Sequence, residues 1–164
     1  MLRGLDYLNV IKITTLTSID IYFINENKFL VGCRKNNPAK DYLFTPGCRT
    51  FKGETIREGL ERVALKELGL KIDPDKCKLV GIYDHIYNNN FMNNNFGTHY
   101  VNSAFVYLIS NDEIKKIRCD DQHEDLFMVD FNDALDPKSK YNDKIHENVK
   151  ITLRDIIKKN IIQL

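Results

Sequence analysis

Residues 45–70 read TPGCRTFKGETIREGLERVALKELGL. A Pro46–Gly47 turn comes first, then a short basic loop and Gly53-Glu54-Thr55, and from there apolar residues recur at helical spacing until Gly69 closes the run. At about 100° per residue, Ile56, Leu60 and Val63 fall within roughly 40° of Glu67, while Glu54, Glu58, Glu61, Arg62 and Lys66 occupy the rest of the wheel. Glu58, Arg62 and Lys66 follow one another at i, i+4 spacing and read as an exposed, mutually favourable stripe. Glu67 is the exception, a carboxylate in line with apolar residues. Such a group must find a cation or several donors, or become protonated. A bound metal would satisfy it; so would a reach round the last turn to solvent or to a lysine.

The rest of the chain bounds what this helix can belong to. With 164 residues, the sequence has length for one core and is short for two, so residues 1–164 read as one domain. A hydrophobic fraction of 43% with 29% charged residues describes an ordinary globular protein. The net charge of +1 provides no bulk attraction to nucleic acid or an anionic membrane, so anion binding would have to be local. Cys33, Cys48, Cys77 and Cys119 are widely spaced without a C-x-x-C pair, which fits free thiols in a reducing cytosol. The N-terminal segment has no uninterrupted apolar run of signal-peptide or membrane-spanning length, and a cytoplasmic location is expected.

Outward from the helix, residues near Asp6 to Ile13 suit a short first helix, and Ser18 to Arg34 suit a β-hairpin turning at NEN. YLFTPG reads as a short strand. After the helix come two long β-type runs, KLVGIYDHIY and THYVNSAFVYLI, separated by NNNFMNNNFG, whose default reading is a mobile surface loop and whose minority reading is a lid. DLFMVDF suits a last strand and DKIHENVKITLRDIIKKN a C-terminal helix. Strands outnumber helices and one helix sits mid-chain. The expected class is α+β, a mixed sheet covered by helices.

Residues 48–70 resemble the Nudix box, G-x5-E-x7-R-E-U-x-E-E-x-G-U with U aliphatic, the loop-helix-loop of the Nudix hydrolases. Glu54, Arg62, Glu67, Gly69 and Leu70 match; Cys48 stands at the opening glycine, and Val63 and Lys66 replace two acidic positions. That depletion, together with FLVGCRKNNPAKDYLFTPGCR, GIYDHIYNNNF, THYV and DDQHED, is similar to the GDP-mannose mannosyl hydrolase branch. The resemblance implies a Nudix-type mixed sheet sandwiched between helices. It also implies hydrolysis of a GDP-sugar by water attack at the anomeric carbon, releasing GDP and the free sugar with inversion.

Carried over by position, the resemblance implies one magnesium ion, with manganese as an alternative, held by the Gly47 carbonyl, Glu67 and Gln122. These are hard oxygen donors of the kind magnesium takes. His123 is implied as general base, Arg34 and Tyr100 as the clamp on the leaving diphosphate, and Asp20 as a sugar-side carboxylate. Arg49 adds positive charge for the diphosphate, and His85 corresponds to a histidine near the site. Leu2 and Tyr7 fall where the branch contacts the guanine nucleotide, often across a homodimer. Arg62 reads as structural. Two rivals remain open: a nucleotide-sugar pyrophosphatase attacking phosphorus, and a catalytically inactive nucleotide-binding module.

Overall fold

The computed structural model describes residues 4–92, 95–118 and 123–162, except for the side chains of residues 4–6, 123 and 124. Leu2, Gln122 and Cys119 therefore lie outside the described residues, and His123 is described by its backbone alone.

The mid-chain helix, α2, runs Ile56–Leu68 and is bounded by its own chemistry. Thr55 caps it and forms a reciprocal capping box with Glu58, while Gly69 at φ 67° closes it in the left-handed conformation. The other helices are α1 (Gly4–Ile13), α3 (Asn111–Ile114), α4 (Phe131–Leu135) and α5 (Glu147–Lys158). The strands are β1 (Leu16–Asn25), β2 (Lys28–Arg34), β3 (Leu43–Phe44), β4 (Gly47–Arg49), β5 (Lys78–Tyr87), β6 (Thr98–Leu108) and β7 (His123–Asp130). They form one mixed sheet in the order β3-β2-β1-β6-β5, with β4 also on β1 and β7 also on β2.

Alternating residues of β1 face opposite layers, as strand geometry requires. Ile19, Ile21 and Phe23 pack with Leu60, Val63, Ala64 and Leu68 of α2. Tyr22 and Ile24 pack on the other face with Val149, Leu153 and Ile156 of α5. The sheet is thus covered by helices on both sides, the α+β arrangement expected from the sequence.

The β1–β2 hairpin turns where expected, but its ladder is short. Only Ile24–Phe29 and Asn25–Lys28 pair; along its length β1 runs parallel to β6, and β2 runs antiparallel to β7. On the edge that β2 leaves, β4 pairs with Ser18, Ile19 and Asp20. Neither β4 nor the short helices α3 and α4 carry a pattern long enough to read in sequence.

Two expectations for α2 are corrected. Glu58 is engaged in the capping box and Arg62 bonds Glu54, so the Glu58–Arg62–Lys66 stripe does not form. Ile56, on the predicted apolar face, is 45% exposed because it sits in the first turn, beyond the edge of the sheet-facing cluster.

Candidate active site

Where β2 leaves β1 and β4 takes its place, a cleft of about 260 Å³ opens. Its walls bring together seven of the residues singled out in the sequence: Tyr7, Asp20, Arg34, Gly47, Arg49, His85 and Tyr100.

Asp20 is buried at the floor. Burial is the first influence on its carboxyl and raises its pKa to about 7, against opposing contributions from Asn102 and the Arg34 guanidinium. His85 Nδ1 lies 3.9 Å from Asp20 Oδ2, and burial, with help from His146, lowers that imidazole to about 4. Asp20 Oδ2 and His85 Nε2 are buried without a hydrogen-bond partner among the described residues. Unsatisfied polar atoms of this kind are costly in a stable protein and mark a place where a polar ligand or water belongs.

Gly47 joins the floor to a second corner. The ladder bonds Ile21 N–H to Pro46 O and Thr50 N–H to Thr17 O fix the alternation, so the Asp20–Gly47 pair is the close, non-hydrogen-bonded kind and the Gly47 amide and carbonyl face away from β1. The Gly47 N–H donates to Glu67 Oε2 at 2.9 Å. Glu67 has no exposed surface, which rules out the solvent-reaching alternative. A buried carboxylate beside an outward-facing backbone carbonyl is a donor set that fits a hard divalent cation. Among the described residues no cluster of three His, Cys, Asp or Glu side chains accompanies it, and Gln122 lies outside them. Cys48, at the box's glycine position, is not among the positive-φ residues and sits in strand β4, so a side chain is accommodated there.

Arg62 Nη2 reaches both Glu54 Oε2 at 2.8 Å and the Arg49 carbonyl at 3.0 Å. It ties the 49–54 loop to α2 and is structural, as read. Arg34 Nε donates to the Pro38 carbonyl at 3.0 Å and its guanidinium lies 5.6 Å from the Phe44 ring centroid. The Arg49 guanidinium lies 4.4 Å from the Tyr7 ring, and Tyr7 packs 5.1 Å from Phe91. Positive charge and aromatic faces meet at this mouth, an arrangement suited to a phosphorylated aromatic ligand. His123 pairs its backbone with Arg34 across β7 and β2, so its position in the chain adjoins the cleft.

Several lining residues carry no sequence signal of their own. Asn36, Asn37, Tyr87 and Phe91 line the cleft, and Asn89 Nδ2 donates to Asn37 Oδ1 at 3.3 Å. The Asn-rich segment, by default a mobile loop, is pinned where it is described. Asn90 is fully buried and bonds the Phe96 carbonyl at 2.9 Å, and Thr98 Oγ1 bonds the Asn89 carbonyl at 3.0 Å.

Residues 14–149 match the NUDIX domain family model. The low-salt glycan biosynthesis protein Agl8 of Haloferax volcanii is 32% identical over 111 residues, 68% of each chain. Among solved structures, a MutT NUDIX hydrolase from Burkholderia pseudomallei superposes with a TM-score of 0.69 at 20% identity, covering 87% of this chain and 98% of that one. A MutT protein from Methanosarcina mazei superposes with a TM-score of 0.67 at 14% identity, covering 89% and 95%. This chain belongs to the NUDIX family and is a Nudix hydrolase. Such hydrolases take nucleotide-derived substrates and generally use divalent metal ions such as magnesium.

Proposed function

We propose that this hydrolase cleaves a GDP-sugar of the GDP-mannose type at the anomeric carbon, giving GDP and the free sugar with inversion. The observation that carries the reading is the depletion of the box. Glu67 is the one carboxylate of the box helix bonded to Gly47, with Val63 and Lys66 at two positions where the box has acids, and the other polar groups here, Asp20 and His85, come from the sheet. A site built to activate water against phosphorus concentrates carboxylates at the metal; here the box helix supplies one, and the Asp20 carboxyl that abuts Gly47 comes from β1, beside His85.

In this reading the Gly47 carbonyl, Glu67 and Gln122 would hold one magnesium ion, which when bound would supply positive charge against the diphosphate. Arg34 and Tyr100 hydrogen-bond the departing GDP oxygens, Arg34 with its Nε already held by Pro38. His123 takes one proton from the attacking water, whose oxygen bonds the anomeric carbon as the bond from that carbon to the β-phosphate oxygen breaks. Asp20 and His85 bind the sugar side, and Leu2, Tyr7 and Arg49 the nucleotide. The similarity to a glycan biosynthesis protein agrees with a nucleotide-sugar substrate. We include in this reading a cytoplasmic homodimer that binds neither nucleic acid nor membrane. The exposed Ile82 and Ile86 on the edge strand β5 support the dimer, and among the described residues no helix is long and apolar enough to cross a membrane.

Hydrolysis of GDP-mannose with magnesium in oxygen-18 water, followed by NMR, tests it. Label in the sugar and initial β-mannose are expected. Label in phosphate would establish a pyrophosphatase instead, and no turnover of any nucleotide sugar a binding module.

A further inference from the structure

The C-terminal helix carries no motif for the chemistry, yet its first turn reaches the cleft wall. His146 caps α5, its Nδ1 accepting the Asn148 N–H at 3.2 Å. An accepting Nδ1 carries no proton, so the neutral ring is the Nε2–H tautomer. Burial first, and then the Arg34 charge, lowers the basicity of this imidazole and keeps that form at neutral pH.

The ring centroid of His146 stands 5.4 Å from Phe44 and 5.6 Å from Tyr87, both cleft-lining, and 5.1 Å from Tyr42. The same turn is clamped to β3 by two backbone bonds, Leu43 N–H to the Lys144 carbonyl at 2.8 Å and His146 N–H to the Leu43 carbonyl at 3.2 Å. Asn148 Nδ2 donates to the Tyr87 hydroxyl at 3.3 Å. Phe44 in turn lies under the Arg34 guanidinium and, three residues on in the chain, leads to Gly47.

We propose that His146 is a positioning residue of the active site: its ring holds Phe44 and Tyr87 in place, and through Phe44 it sets where Arg34 points. The proposal rests on the GDP-sugar reading only for the choice of substrate. Two contacts are separable by substitution, because an asparagine keeps a capping oxygen without the ring and a phenylalanine keeps a ring without the cap. A small displacement of a charge clamp is enough to cost a large factor in rate.

His146→Asn and His146→Phe are compared with the wild type in three measurements. These are thermal unfolding, kcat and KM on GDP-mannose, and NMR of the ring protons of Phe44 and Tyr87 in the free protein. His146→Asn should unfold near the wild-type temperature, lose roughly tenfold or more in kcat and shift both ring signals. His146→Phe should unfold earlier but keep kcat within about threefold where folded, with the ring signals near their original positions. If His146→Asn leaves the Phe44 and Tyr87 signals and kcat unchanged, or if both variants lose rate only in step with stability, the residue is a helix cap and nothing more. Should the wild type turn over no GDP-sugar, the functional reading fails, while the ring signals still decide the role of His146.

Discussion

Gly47 donates its amide to Glu67 Oε2 at 2.9 Å, and a Cβ built on it would lie 2.0 Å from Asp20 Oδ1 and 2.8 Å from the Ile19 carbonyl. One residue without a side chain therefore sets the spacing between the carboxylate corner and the polar floor. Its φ is not in the left-handed region, so the demand is for space. Gly47→Ala is expected to push Asp20 aside, cost about 1–3 kcal/mol of stability, and lower turnover by more than Cys48→Gly does. Urea unfolding and kcat measure the two effects; a fully active Gly47→Ala would break the link.

Asp20 and His85 oppose one another in their effect on stability with pH. The Asp20 pKa is raised to about 7, so its stabilising protonated state is complete below the ordinary 3.8 and is lost as pH rises through about 7. The His85 pKa is lowered to about 4 from 6.5, so its contribution is complete above the ordinary value and lost as pH falls toward 4. Between roughly pH 4 and 6.5 the two slopes largely cancel, each being about 1.4 kcal/mol per pH unit. Asp20→Asn removes one of them. Its stability should climb across that window more steeply than the wild type's, as denaturant titrations at half-unit pH steps will register.

Glu67→Gln keeps an oxygen for the Gly47 N–H but discards the negative charge. The variant should fold with little change in melting temperature and bind manganese on the order of 10- to 100-fold more weakly, read by electron paramagnetic resonance. Equal manganese affinity in the two proteins would exclude Glu67 as a metal ligand.

Arg62 spans Glu54 and the Arg49 carbonyl with a planar fork that lysine cannot reproduce. Arg62→Lys is expected to lose about 1–3 kcal/mol at neutral pH, with manganese affinity unchanged. The Arg62 hydrogen bond is the first cause holding the Glu54 carboxyl below its ordinary range. This contribution is present above that range and lost in acid as Glu54 is protonated, so the difference between variant and wild type should shrink there.

How much of this was legible differs from residue to residue. The boundaries of α2 were legible because a cap and a left-handed glycine act within a few residues of chain. So was the anomaly of Glu67, since helical period alone sets it in line with Ile56, Leu60 and Val63, of which Leu60 and Val63 are buried with it. Tyr87, Phe91 and His146 were not. A tyrosine on a strand, a phenylalanine in an asparagine run and a histidine before a helix look the same in sequence whether they line a cleft or face solvent.

The sequence by itself determined the local elements, the α+β class and a set of box residues at fixed offsets, because short-range hydrogen bonds and periodic apolar faces are written along the chain. It also determined that Val63 and Lys66 hold no metal-binding carboxylate. Only the tertiary structure decided that β2 leaves β1 after a two-pair ladder, that β4 takes over the freed edge, and that Asp20 thereby meets Gly47 on one side and His85 on another. Those encounters depend on which strand pairs with which across long stretches of chain, and on the burial that pairing creates. No local pattern encodes the low dielectric that raises Asp20 and lowers His85; it exists only once β1, β5, β6 and α5 have closed around them.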